Sequence, residues 1–170
     1  FTDIMLENSE YVFVNLQSLE GNRYALWEYI YQYRKQYCDV AIWNKTHAAP
    51  MIAERGMNSQ FEFVFIFTKN HPTRAIRTAP QWRGIVSNVF DLLPNSPKGD
   101  YAVFHGAVYP VAFCGHFIEK FCTRDKIVLD PFLGSGSTLI AAEKTGRICY
   151  GCEIDERYID VIITRYCQYV

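Results

Sequence analysis

The chain has 170 residues, of which 49% are hydrophobic and 16% aromatic. That composition suits one domain with its own core and excludes a disordered segment. Its 17 Lys and Arg stand against 18 Asp and Glu, a net charge of −1, so any attraction for nucleic acid has to come from a local basic patch.

In chain order, residues 1–9 read as the end of a helix and 11–16 as a strand. Residues 24–37 read as a helix, with Trp27, Ile30, Tyr31, Tyr33 and Tyr37 at near-helical spacing. Residues 40–44 and 61–68 are strands. The second is almost continuously apolar, as a strand buried on both faces requires. Residues 70–104 form an irregular excursion punctuated by Pro72, Pro80, Pro94 and Pro97. A helix over 110–122 carries Pro110 near its first turn. Strand 127–130, helix 138–144, strand 148–153 and helix 157–166 complete the chain, with Gly146 stopping the helix before Arg147. Strands alternating with helices predict an α/β fold with a doubly wound, largely parallel sheet, built as a single domain over 1–170. No apolar run approaches the ~18 residues of a membrane span and no secretory leader is visible, so a cytoplasmic protein without a membrane partner is expected.

The residues that carry chemistry lie near the C-terminal end. Asp130 closes one strand and is followed by the Gly-rich turn Gly134-Ser135-Gly136-Ser137-Thr138. Glu153 closes the next strand, at close to the ~20-residue spacing of a nucleoside site built on adjacent parallel strands. The glycines let backbone N–H groups approach a ligand, and Glu153 is placed to bind a ribose diol. A dinucleotide site would need a third glycine, where Leu139 stands. Asp130 would also repel a pyrophosphate, whereas it suits the ammonium and sulfonium of S-adenosylmethionine. Asp130 would equally cap the turn, Ser135, Ser137 and Thr138 would equally cap a helix, and an exposed strand-end Glu needs no ligand.

The six cysteines, Cys38, Cys114, Cys122, Cys149, Cys152 and Cys167, lie in apolar contexts without the density of a disulfide scaffold. Cys149 and Cys152 form a C-x-x-C within and at the end of one strand, with no second pair at zinc spacing, so no metal is expected. Lys69, His71, Arg74, Arg77 and Arg83 make a basic stretch with no acid between positions 69 and 84, interleaved with Trp82. Such a patch suits DNA phosphates, and a solvated loop reads the same way.

Asp130-Pro131-Phe132-Leu133-Gly134-Ser135-Gly136-Ser137-Thr138 resembles the D-P-F-x-G-S-G-[ST]-T signature of DNA amino-methyltransferases, which act on adenine N6 or cytosine N4. Residues 141–159 resemble the same family's A-A-x-x-x-G-R-x-x-x-G-x-E-x-D-x-x-Y. Upstream, Ala41-Ile42-Trp43-Asn44-Lys45 is similar to its I-I-W-x-K strand, and residues 60–69 to its H-E-x-I-x-x-F-x-K strand, with Gln60 in the His position. His105-Gly106-Ala107-Val108-Tyr109-Pro110 resembles its H-P-x-x-x-P segment, with Gly106 in place of Pro. With the cofactor motif last, the order matches the permuted β class.

The resemblance implies S-adenosylmethionine held by Asp130, Pro131, Phe132, Gly134, Ser135, Gly136, Ser137, Thr138 and Glu153. His105, Tyr109 and Pro110 would lie at its methionine end. It also implies DNA as substrate, adenine N6 before cytosine N4, in a restriction-modification setting. Lys69, Arg74, Arg77 and Arg83 would meet DNA, 70–104 would hold target recognition, and Trp43, Asn44 and Lys45 would line the base pocket. The family's sheet is ordered 3-2-1-4-5-7-6 with strand 7 antiparallel. The strands here fit roles 5, 6, 7, 1 and 2; roles 3 and 4 are unfilled. The catalytic tetrapeptide [DNS]-P-P-[YFW] belongs to role 4, and no Pro-Pro dipeptide occurs in the sequence. Residues before Phe1, or a partner chain, are therefore expected to supply it, and this chain alone is expected to be inactive. The alternative is a degenerate or split methyltransferase that binds cofactor or a partner without catalysis; methylation of RNA or a small molecule is a further one.

Overall fold

A computed structural model describes residues 1–47, 57–70, 72–74, 76–95 and 108–169. They fall into two compact units, Phe1–Ile76 with Ser87–Leu93, and Arg77–Val86 with Pro94–Val170.

The first unit contains α1 (Thr2–Asn8), β1 (Val12–Leu16), α2 (Arg23–Gln32), β2 (Tyr37–Asn44), β3 (Phe61–Phe67) and β4 (Val89–Asp91). Its sheet has the order β1-β3-β2-β4. Strand β3 runs antiparallel to both β1 and β2, and β4 runs parallel to β2. Three strands thus point one way and β3 alone opposes them, the 5-7-6 arrangement that the resemblance implies. The apolar run of β3 is explained by burial on both faces. Phe65 and Phe67 join Leu6, Val12, Leu26 and Tyr33 in one core cluster, while Val64 and Ile66, on the opposite face, are also buried. Rings pack edge-on within that cluster, Tyr33 and Tyr29 each lying 6.0 Å from Phe67.

Two sequence expectations change here. The helix predicted over 24–37 ends at Gln32, and Tyr37 starts β2 instead. The chain turns at Tyr33, which accepts from the Gln36 and Tyr37 N–H groups, and pairing of Tyr37 with Phe67 takes over. Trp27 and Tyr31, two of the aromatics at near-helical spacing, are 56% and 67% exposed, and Leu26 is the helix residue that is buried. Aromatic spacing alone did not identify the inward face: Arg34 lies over the outward Tyr31 ring, 4.1 Å from its centroid, and Trp27 meets Phe63 edge-on at 6.2 Å. The excursion over 70–104 also yields a strand, β4, held by Ile42–Val89, Trp43–Phe90 and Asn44–Asp91 pairing. Three residues carry too little periodicity to be seen without their partner strand.

The described residues of the second unit contain a 3-10 turn (Pro80–Trp82), α3 (Val111–Phe121), β5 (Ile127–Asp130), α4 (Ser137–Thr145), β6 (Ile148–Gly151) and α5 (Glu156–Tyr169). Strands β5 and β6 pair in parallel from Ile127–Ile148 to Asp130–Gly151. Helix α3 buries Phe113, Cys114, Phe117 and Ile118, and α4 buries Ile140, Ala141 and Ala142. Helix α4 stops at Gly146, whose φ of 70° lets Arg147 N–H return to the Ala142 carbonyl at 2.8 Å. The buried Arg147 guanidinium then donates to the carbonyls of Cys122 and Thr145, fixing the start of β6.

On the other face of the strand pair, Ile127, Leu129, Ile148 and Tyr150 are between 40% and 60% exposed. Both β1 and β5 are edge strands of their sheets. Within the two units the elements are those of the mixed α/β, Rossmann-like sheet that the resemblance implies, without strands in roles 3 and 4 among the described residues. No described helix is long and apolar enough to cross a membrane.

Candidate functional site

Parallel pairing of Asp130 with Gly151 brings the ends of β5 and β6 side by side, so Asp130 and Glu153 arrive at the same end of the strand pair. The chain leaving Asp130 is tied back at once. Phe132 N–H donates to Asp130 Oδ1 at 3.0 Å, Cys152 N–H to the Asp130 carbonyl at 3.0 Å, and Leu133 N–H to the Cys152 carbonyl at 2.9 Å. Gly151 allows this closeness: a Cβ there would lie 2.8 Å from Leu133 Cδ1 and 3.1 Å from the Asp130 carbonyl oxygen. Glu153 spans the turn from the other side. Its Oε2 accepts from Gly134 N–H at 2.7 Å and its Oε1 from Asp155 N–H at 2.9 Å.

Beyond Gly134 the turn faces inward. Gly136 has φ = 81°, and a Cβ there would meet Ile162 of α5 at 3.3 Å. Ser135 and Ser137 are buried, 6% and 4% exposed, against the buried guanidinium of Arg165. Ser137 Oγ donates to the Tyr109 carbonyl at 2.7 Å, and Thr138 Oγ1 to Cys114 Sγ at 3.5 Å. Tyr109 stacks on Phe113 at 5.0 Å, and the buried Pro110 immediately precedes α3. His105 lies outside the described residues.

Pro131 is half-buried, whereas Phe132 is 68% exposed and Ile154 fully so. Two carboxylates at paired strand ends, a glycine turn and two exposed apolar side chains can receive a ligand that has a diol, a cationic group and a flat apolar ring. Asp155 serves its own neighbour instead: it accepts from the Arg157 guanidinium and from Arg157 N–H, which hold its carboxyl down at about 2. Burial pushes the Cys114 thiol up to about 11 and, with Asp130 adding to it, the Cys149 thiol to about 12. All six cysteines are free, and among the described residues no three His, Cys, Asp or Glu side chains gather as a metal site would require.

The basic residues divide between the units, Lys69 and Arg74 in the first and Arg77 and Arg83 in the second, all exposed. His71 lies outside the described residues. Arg74 is paired with Asp39 at 3.2 Å. Trp43 is buried and donates its indole N–H to the Leu92 carbonyl at 2.7 Å. Asn44 binds Asp91 and Gln60, and Lys45 pairs with Glu62 at 2.5 Å. In this structure these three side chains brace the end of β2.

Sequence reasoning missed Arg165 and Ile154. Arg165 had one signal: it follows the apolar Val161 and Ile162 by four and three residues, on one helix face. Ile154 had only its place after Glu153.

Residues 4–164 match the family model of N6/N4 methyltransferases described as DNA methylase. Over 61 residues the chain is 43% identical to the Type II methyltransferase M.ScaI of Streptomyces caespitosus, covering 36% of this chain and 20% of that protein. Over 128 residues it is 26% identical to the Type II methyltransferase M.Cfr9I of Citrobacter freundii, covering 73% and 42%. It thus spans less than half the length of these two curated relatives. Among solved structures, the PvuII DNA methyltransferase (cytosine-N4-specific) superposes with a TM-score of 0.71 at 18% identity, over 92% of this chain and 63% of that one. An M1.HpyAVI–SAM complex does so with a TM-score of 0.66 at 19% identity, over 91% and 73%. At these identities the two structures bear on the fold. The chain belongs to the DNA methylase family.

Proposed function

We propose that this member of the DNA methylase family binds S-adenosylmethionine on the 130–138 turn and Glu153, as the methyl-donor half of a DNA amino-methyltransferase. The observation that carries the reading is that Asp130–Gly151 pairing brings Asp130 and Glu153 to one end of two parallel strands, with the Gly134 amide held against Glu153. The donor set fits the cofactor. Each Glu153 oxygen already accepts one N–H and retains a lone pair for a ribose hydroxyl. Asp130 carries the charge that an ammonium requires. Phe132 and Ile154 offer exposed apolar surface for an adenine ring. Backbone at Gly134 and Gly136 leaves room for close approach. When bound, the cofactor supplies a methyl group on a positively charged sulfur.

The acceptor under this reading is an exocyclic amino group of a DNA base, adenine N6 before cytosine N4, in a modification system. Such a base has to leave the duplex stack. Its amine is conjugated to the ring and weakly nucleophilic, so hydrogen-bond acceptors and accurate placement supply most of the rate enhancement. Those acceptors belong to a D-P-P-Y type tetrapeptide, and these 170 residues contain no Pro-Pro pair. A further segment or partner chain would bring it and cover Ile127, Leu129, Ile148 and Tyr150. We place target recognition on 70–104 of one methyltransferase domain, with Lys69, Arg74, Arg77 and Arg83 on DNA phosphates. By itself the chain then binds cofactor without turning it over.

The test is methyl transfer from tritiated S-adenosylmethionine to DNA and RNA, by the chain alone and with a segment supplying the tetrapeptide, followed by nucleoside analysis. Label in N6-methyladenine only for the completed protein is the expected result. Label in N4-methylcytosine corrects the base. No label from the completed protein, with cofactor binding intact, leaves a binding module; label from the chain alone refutes the need for the tetrapeptide.

A further inference from the structure

Helix α5 buries three side chains, Val161, Ile162 and Arg165, on one face. Two of them are apolar and need no explanation. The third is a guanidinium only 6% exposed. Burying a charge is costly unless hydrogen bonds replace its water, and Leu or Met would fill the same space without that cost. Four hydrogen bonds that compensate it converge on the turn. Arg165 Nη1 donates to the Ser135 carbonyl, to Ser135 Oγ at 2.7 Å and to Ser137 Oγ at 3.3 Å, and Nη2 reaches Ser137 Oγ at 3.4 Å. The guanidinium therefore touches both sides of Gly136, the residue whose φ of 81° turns the chain into α4. One turn earlier on α5, Ile162 fills the space where a Gly136 side chain would stand. The single hydrogen of the Ser137 hydroxyl goes to the Tyr109 carbonyl at 2.7 Å, so the lone pairs remain for Arg165.

We propose that Arg165 is the positioning residue of the cofactor turn, and that Ser135 and Ser137 serve Arg165 rather than the ligand. The planar fork of the guanidinium fixes the turn from behind. Gly134 is then held with its N–H on Glu153, and Tyr109 is drawn to the same anchor through Ser137. The ligand would meet a turn set before it arrives, so no binding energy is lost in ordering it. This rests on the methyl-donor reading of the site.

The test uses the full chain with Arg165→Met, Arg165→Lys and Ser135→Ala. Amide hydrogen exchange across 134–137 is measured without ligand, S-adenosylmethionine affinity by calorimetry, and global stability by urea. Arg165→Met is expected to speed exchange in the turn by about tenfold beyond any global loss, and to weaken cofactor binding by about tenfold or more. Arg165→Lys, which keeps one donor on the Ser135 carbonyl, is expected to recover part of both. Exchange and affinity in Arg165→Met equal to wild type, or changed only in step with global stability, would overturn the proposal. If Arg165→Met does not fold, Ser135→Ala decides: faster exchange confined to the turn supports it, and unchanged exchange refutes it. A wild-type chain that fails to bind S-adenosylmethionine overturns the cofactor reading, and the exchange arm still judges Arg165.

Discussion

Replacing Glu153 by Ala tests the core of the site. The carboxylate accepts two backbone N–H groups, from Gly134 at 2.7 Å and from Asp155 at 2.9 Å. Hydrogen bonds to a charged group contribute roughly 1.5–3 kcal/mol each when water cannot replace them. Glu153 is half-buried, so water recovers much of this. The ligand-free chain should then lose about 1–2 kcal/mol, read as a lower urea midpoint at unchanged slope. Two ribose hydroxyls would use the remaining lone pairs, so cofactor affinity should fall by a further ~1–3 kcal/mol, about 5- to 150-fold. Glu153→Gln should not restore it. Gln offers one acceptor oxygen to two converging N–H groups, and its own NH2 would face the other. Calorimetric titration with S-adenosylmethionine, beside the urea curves, separates the two effects. Wild-type affinity in a folded Glu153→Ala protein would remove Glu153 from the cofactor site, and wild-type stability would refute its role in the turn.

Other outcomes follow from the same geometry. Gly151→Ala should cost about 1–3 kcal/mol by urea denaturation, because Leu133 can swing aside but the Asp130 carbonyl at 3.1 Å cannot; adding Leu133→Ala should recover only part of the loss. At pH 8, iodoacetamide followed by mass spectrometry should modify the exposed Cys152 and Cys167 well before Cys114 and Cys149, whose thiols burial holds near 11 and 12. Burial and the neighbouring Lys120 lower His116 from 6.5 to about 4. The unfolded chain therefore takes up this proton first, and stability should decline as pH falls from about 6.5 toward 4; His116→Gln should flatten that part of the profile. Charge reversal at Arg74 and Arg77 should reduce the salt dependence of DNA binding by the completed protein, and an unaltered slope would leave both as plain surface.

What the sequence determined by itself was local. The motif from Asp130 to Thr138, Glu153 and the order of helices and strands were legible because each depends on neighbours along the chain: an acid at a strand end, glycines where φ is positive, and an apolar run for a strand buried on both faces. Tertiary structure decided what depends on partners distant in sequence. Strand β4 exists because β2 offers it an edge, and α2 turned Trp27 and Tyr31 outward because Leu26 and Tyr33 fitted the β3 core. The serines of the turn, open to two roles in the sequence, are engaged by an arginine that follows them by about thirty residues. A guanidinium reaching across 28 or 30 positions leaves no periodicity to read. It becomes visible only when α5 packs behind the turn.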